Sequence, residues 1–233
     1  MIQIPTHSNL QIISDLHSGN PNLTDDHIQA CKAALNPARY DTLVLLGDCL
    51  DRTRSARPGR FEAEFLSICR QFETWIVVLG NHEWPYDQTA ATYKEAGADK
   101  VCTKYRFYSG DELFICEHGH RFDPNCNGEN ALYWNRALVR TTTFLDKLFK
   151  CDVQEWLRGK KWIDKALRDI ENDRGIKKRA IKEYKFLLEE PWVIIGHRHA
   201  PLISYRQKFC DAGDWVQHKS YVTIDEGRVE LHE

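Results

Sequence analysis

The chain has 233 residues, long enough for one large domain with a real hydrophobic core. Apolar residues make up 42% and charged residues 28%, which sets aside disorder, collagen and coiled coil. Lys+Arg number 32 against 34 Asp+Glu, a net charge of -2, which excludes a uniformly basic nucleic-acid binder but not a local basic patch.

Residues 1–9 lack a basic stretch followed by an apolar one, so no signal peptide is expected. No apolar run approaches the ~20 residues a spanning helix needs. The first strand is expected at Leu10–Ser14, running into Asp15-Leu16-His17. A helix follows over Asp25–Leu35, capped by Thr24 or Asp25, with Ile28, Cys31 and Leu35 on one face. Thr42–Leu46 is the next strand and runs into Gly47-Asp48. Phe61, Phe65, Ile68 and Phe72 recur at helical spacing. Trp75–Leu79 is a third strand, ending in Gly80-Asn81-His82. Strand, helix, strand, helix, strand predicts a parallel sheet with crossover helices.

Glu112–Cys116 is a further strand, leading into Glu117-His118-Gly119-His120. The segment from about 128 to 190 reads as helices, with Trp and Leu faces. From Arg136 to Lys185 it holds 15 Lys/Arg and 8 Asp/Glu, a net +7 that leaves -9 for the rest. It is expected to be a helical insertion, because strand signals resume at Trp192–Ile195, before Gly196-His197-Arg198-His199. Ser220–Asp225 and Arg228–His232 form a hairpin around Glu226-Gly227. The organisation predicted is one domain over 1–233, interrupted by that insertion. The eight Cys form no CxxC pair and read as reduced thiols, which predicts a cytoplasmic protein.

Five strand ends thus carry Asp15 and His17, then Asp48, then Asn81 and His82, then His118, then His197 and His199. Alone, each is an ordinary turn or cap. Together, at the carboxyl ends of strands, they point to a site. Imidazole with carboxylate suits first-row divalent cations, and a pair of cations can clamp a phosphate. Cys49 beside Asp48 reads as packing.

These motifs resemble those of the calcineurin-like metallophosphoesterase superfamily. They are Asp15-Leu16-His17, Gly47-Asp48-Cys49-Leu50-Asp51, Gly80-Asn81-His82-Glu83, His118-Gly119 and Gly196-His197-Arg198-His199. The resemblance implies an α/β fold, a four-layer sandwich of two mixed β-sheets flanked by helices, with the insertion as a cap. It implies two divalent metal ions, Mn first, with Fe or Zn as alternatives. One would be held by Asp15, His17, Asp48 and His199, the other by Asp48, Asn81, His118 and His197, with Asp48 as the bridge. The implied reaction is attack on phosphorus by a hydroxide bridging the metals. His82 would contact the phosphate and protonate the leaving oxygen. Asp51 would orient a ligand, and Arg52 would bind phosphate, a task suited to a guanidinium. His120 and Arg198 lie beside ligands in sequence and are candidate substrate contacts.

The substrate class stays open among phosphomonoester, phosphodiester and pyrophosphate. The insertion and the stretch Cys210-Asp211-Ala212-Gly213-Asp214-Trp215-Val216 resemble the UDP-2,3-diacylglucosamine hydrolase branch. That implies a nucleotide-linked acylated sugar, cleaved at a membrane surface that the basic insertion would touch peripherally. This branch tends to carry Arg after the third-motif Asn, where this chain has His82, as general phosphatases and phosphodiesterases do. The +7 segment also suits a nucleotide or nucleic-acid phosphoesterase. A noncatalytic metal-binding scaffold is the alternative from another class, against which the full ligand set argues.

Overall fold

The computed structural model describes residues 4–20, 23–53, 61–123, 175–185 and 189–233, together with residues 59, 126, 141 and 187. Most of the expected insertion at about 128–190 therefore lies outside the described residues. The chain opens as predicted, with β1 (Asn9–Ile13), α1 (Asp25–Ala34), β2 (Thr42–Leu46), α2 (Glu62–Cys69) and β3 (Thr74–Val78). Then come α3 (Tyr86–Glu95), β4 (Lys100–Cys102), β5 (Tyr105–Ser109), β6 (Glu112–Cys116) and α4 (Ile176–Tyr184). The chain ends with β7 (Trp192–Ile195), β8 (Leu202–Ser204), β9 (Phe209–Asp211), β10 (Tyr221–Asp225) and β11 (Arg228–His232). The elements α3, β4, β5, β8 and β9 are additions to the sequence reading.

The strands form two mixed sheets, a six-stranded one ordered β11-β10-β1-β2-β3-β4 and a five-stranded one ordered β5-β6-β7-β9-β8. Strands β1 to β4 pair in parallel, as do β6, β7 and β9, while antiparallel strands close three of the four edges. Side chains alternate across each strand, and this sorts the apolar runs into layers. Leu10, Ile12, Val44, Leu46, Ile76 and Val78 meet Phe107, Phe114, Cys116, Ile194 and Cys210 between the sheets. Ile13, Leu43, Leu45, Trp75 and Val77 face the other way, toward Cys31, Phe65 and Tyr93 of the helices. Ile115, Val193, Ile195 and Phe209 cover the outer face of the second sheet with Ile176, Ala180 and Tyr184 of α4. Burial on both faces explains why β2 and β3 read as continuous apolar runs.

Parallel strands of both sheets deliver their carboxyl ends to one place. Asp15 follows β1, Asp48 follows β2, Asn81 and His82 follow β3, His118 follows β6, and His197 and His199 follow β7. Four of these residues, Asp15, Asp48, His197 and His199, and also His17, have positive φ of 51–70°. Such a backbone costs a non-glycine residue about 1 kcal/mol or more and clusters at functional sites. Gly47, φ 86°, turns β2 into the site, and a Cβ there would stand 2.4 Å from His118 Nδ1.

Candidate metal centre

The predicted residues come together as two groups of ligand atoms. Asp15, His17 and His199 offer atoms all within 4.8 Å of one another, and so do Asp48, His118 and His197. In the first group His199 Nε2 is 3.1 Å from Asp15 Oδ1 and 3.4 Å from His17 Nε2. In the second, His118 Nε2 is 3.1 Å from Asp48 Oδ2 and 4.0 Å from Asp15 Oδ1, so the groups adjoin. The backbone ties them together: His17 N donates to Asp48 O (2.8 Å), and His197 N donates to an Asp15 carboxylate oxygen (3.0 Å).

The outer nitrogens of these rings are held. His118 Nδ1 donates to Leu46 O at 2.8 Å, which leaves Nε2 to face the carboxylates. His17 Nδ1 donates to Asp51 Oδ2 at 3.2 Å, and His197 Nε2 to Asp123 Oδ2 at 3.2 Å. Asp51 is thus placed as expected, and its other oxygen accepts from His82 Nδ1 (2.9 Å) and Thr53 Oγ1 (2.7 Å). His82 is pinned from behind, and its Nε2 lies 4.0 Å from Asp48 Oδ2.

Charge is balanced by burial. Desolvation alone would lower His17, but its bonds to Asp15 and Asp51 outweigh that and lift it to about 10. Burial likewise opposes the charge on His118, and the Asp48 and Asp15 carboxylates lift it to about 10. Burial would raise Asp15, Asp48 and Asp51, but the surrounding imidazoles hold all three well below the ordinary range.

These residues fit divalent cations. Asn81 Oδ1 is a buried atom that makes no hydrogen bond among the described residues, and His118 Nε2 faces the Asp48 and Asp15 carboxylates at 3.1 and 4.0 Å. A buried acceptor such as Asn81 Oδ1 is costly without a donor unless something positive sits beside it, and a cation would take the place of the His118 proton between imidazole and carboxylate. The donors in both groups are nitrogen and oxygen. Cys49 belongs to neither group, and burial pushes its thiol well upward, in keeping with packing.

A residue the sequence reading missed braces the site. Glu83 is fully buried on the turn after β3. Its Oε2 accepts from the N–H of Asp48 (2.7 Å) and Gly80 (2.7 Å). Its Oε1 accepts from the N–H of Cys49 (2.8 Å) and Leu50 (3.1 Å), and from Tyr93 Oη (3.0 Å). One carboxylate therefore organises the loop that presents Asp48. Burial and the nearby Asp48 charge push Glu83 upward, against the pull of these donors. Asp123 and Cys126 were also missed; they form a further close group with His197. Asp123 stands five residues after His118, a polar residue in an otherwise unremarked turn.

Two expected substrate contacts have other partners. The Arg52 fork is engaged on both arms by Glu62 at 2.6 and 2.7 Å, with both side chains largely buried, so phosphate would have to displace that carboxylate. Arg198 turns inward, its Nε 3.7 Å from the buried Asp211 on β9. A buried guanidinium needs a counter-charge, and Asp211 is in reach. His120 does sit beside the cluster, its ring centroid 5.6 Å from that of His118 and 6.4 Å from that of His197. The Gly213-Asp214-Trp215-Val216 stretch has a scaffold role: the backbone N–H of Trp215 donates to Asp15 O at 3.3 Å, and the Trp215 side chain is buried in the core beside the helices. A separate cavity of about 330 Å³, lined by Tyr184, Lys185, Val193 and Arg206, lies by the opposite end of β7.

An α/β sandwich with Asp and His clustered at its strand ends is the layout of the metal-dependent phosphoesterases, and the family match bears it out. The chain belongs to the calcineurin-like phosphoesterase family, whose family model matches residues 10–207. Among solved structures it is similar to an archaeal phosphodiesterase, with TM-score 0.51 and 14% identity over 96% of this chain and 98% of that one. It is also similar to Yfce, a phosphoesterase from E. coli, with TM-score 0.46 and 15% identity over 93% and 88% of the two chains. A Vps29 single mutant from Entamoeba histolytica has TM-score 0.46 and 14% identity over 96% and 97%. Such identities speak for the fold alone. No curated protein matches the chain. None of the described helices is long and apolar enough to cross a membrane.

Proposed function

We propose that this protein hydrolyses phosphoester bonds with two divalent cations. Asp15, His17 and His199 would hold one, His118, Asn81 and His197 the other, and Asp48 would serve both. The observation that carries this is the meeting of the two ligand groups around Asp15 and Asp48. When bound, the cations lower the pKa of a water and offset charge on the phosphoryl group. Mn is the ion proposed first, with Fe and Zn as alternatives that the same nitrogen and oxygen donors fit.

The chain's own residues supply orientation and proton transfer. Asp51 and Thr53 fix the His82 ring through Nδ1, so Nε2 is the atom left to give a proton to the departing oxygen. His82, His197 and His199 keep some exposed side-chain surface, 13%, 12% and 32%, and substrate would enter on the side of His199, the most open of the three. Arg52 and Arg198 would act through Glu62 and Asp211 rather than by touching phosphate. A cytoplasmic location is proposed from Cys31, Cys49, Cys69, Cys102, Cys116 and Cys210, which are free thiols.

His82 favours a phosphatase or phosphodiesterase over the lipid-linked pyrophosphatase. The scaffold role of Trp215 supplies a structural reason for the stretch that resembled the latter. The membrane and nucleic-acid readings rest on the +7 segment, which falls mostly outside the described residues. A panel of p-nitrophenyl phosphate, bis(p-nitrophenyl) phosphate and UDP-2,3-diacylglucosamine, each with Mn, tests the choice. Diester turnover without UMP release is the expected result. Release of UMP with no diester turnover would replace the proposed substrate class, and no turnover of any of them would leave the scaffold reading.

A further inference from the structure

The ring of His120 is bonded on one side only. Its Nε2 meets Tyr86 Oη at 3.1 Å. Its Nδ1 is buried and makes no hydrogen bond among the described residues. His120 belongs to none of the groups whose ligand atoms close within 4.8 Å. It is next to the second group without being part of it, in ring contact with both His118 and His197.

A buried polar nitrogen without a partner is rare and destabilising. Tyr86 decides what that nitrogen offers. Among the described residues the phenol is the hydrogen-bond partner of the ring, and with the phenolic O–H donating to Nε2 the ring proton stands on Nδ1. That tautomer gives an N–H donor beside the Asp48–His118–His197 group, with no acceptor among the described residues. Tyr86 comes from the first residue of α3, and His120 from the turn after β6. The two facing elements hold the pair in place, and Tyr86 packs against the core under α2 and α3.

We propose that His120 Nδ1–H, set by Tyr86, donates a hydrogen bond to a phosphoryl oxygen of the bound substrate or product. Tyr86 is then a positioning residue, and His120 a substrate-binding one. This rests on the phosphoesterase reading and adds to it the atom and the tautomer. Oxyanions are the ligands such a donor selects, and a charge-assisted bond strengthens when water is excluded.

The probe is inorganic phosphate, the product of monoester hydrolysis, titrated into the Mn-loaded protein by calorimetry. An Asn side chain places its amide nitrogen near the position of Nδ1, and a Gln side chain places it near Nε2. His120→Asn should keep phosphate affinity within about threefold, whereas His120→Gln should weaken it about tenfold or more. Tyr86→Phe frees the tautomer and should weaken phosphate binding several-fold with Mn content per chain unchanged. Equal losses in the Asn and Gln variants would overturn the proposal, as would unchanged affinity in Gln and in Tyr86→Phe. Failure of the unaltered, Mn-loaded protein to bind phosphate would overturn it too. Turnover of bis(p-nitrophenyl) phosphate separates the two ideas: its absence, with the phosphate pattern intact, supports this proposal and removes the hydrolase reading instead.

Discussion

Glu83→Gln changes one atom and asks whether the loop carrying Asp48 depends on a buried carboxylate. The wild-type oxygens accept from Asp48, Gly80, Cys49 and Leu50 backbone N–H groups and from the Tyr93 hydroxyl. An amide has one acceptor oxygen, and its NH2 would face donors. With the oxygen in the Oε1 position, the Asp48 and Gly80 N–H groups lose their partner. The flipped amide strands those of Cys49 and Leu50. Two buried donors left unsatisfied cost about 1–3 kcal/mol each, so a loss of about 2–6 kcal/mol is predicted. For a chain of this size 1 kcal/mol corresponds to roughly 2–4 °C, so the unfolding midpoint should fall by about 4 °C or more. Asp48 sits at φ 53° and relies on that loop, so Mn affinity should fall about 10–100-fold as well. Thermal unfolding of metal-free protein separates the first effect from the second, and metal content per chain reads the second. A midpoint shift under about 2 °C with unchanged Mn binding would refute the brace.

Three further outcomes follow from the same geometry. Asp51→Asn keeps one of the two acceptor oxygens that serve His17, His82 and Thr53, and turnover should fall about 10–100-fold; unchanged kcat would show that neither ring needs it. At neutral pH the metal-free protein carries a proton on His17 and on His118, each raised to about 10. Cation binding must expel those protons, so affinity should rise with pH up to about 10, and Mn added to weakly buffered protein should acidify it. No proton release would contradict the assignment of these two imidazoles as ligands. Gly196→Ala would put a Cβ 1.9 Å from Ser14 Oγ and 2.6 Å from Asp15 Oδ2, so stability should drop by about 1–3 kcal/mol and the Asp15 group should bind metal poorly. Wild-type midpoint and metal content in that variant would refute the close approach.

The site was legible where chemistry coincides with strand ends. Apolar runs buried on both faces stop abruptly at Asp15, Asp48, Asn81, His118 and His197, and the sequence marks each stop. The βαβαβ opening was legible for the same reason, from strand runs separated by helical spacing. Contacts that join distant segments were not. Glu83 reads as an ordinary acid, and its role exists only once four N–H groups from two loops converge on it. Asp123 meets His197 across 74 positions of chain. Arg52 and Arg198 sit in motif positions that suggested phosphate, yet each has a buried carboxylate within reach that adjacency in sequence could not reveal. Strands β4, β8 and β9 have three residues each, too few to show a period, and β5 carries no polar cluster at its end to draw attention. The left-handed backbone at five non-glycine site residues has no sequence signature, since Asp and His adopt it only where tertiary contacts hold them there.

The central claim is that the two Asp- and His-rich groups act together through two cations. The most direct test is hydrolysis of bis(p-nitrophenyl) phosphate while Mn is titrated into metal-free protein and into Asp48→Ala. The account predicts that turnover grows with the second equivalent of Mn and is lost in the variant at every Mn concentration. Full turnover at one equivalent, or turnover that survives Asp48→Ala, would contradict it.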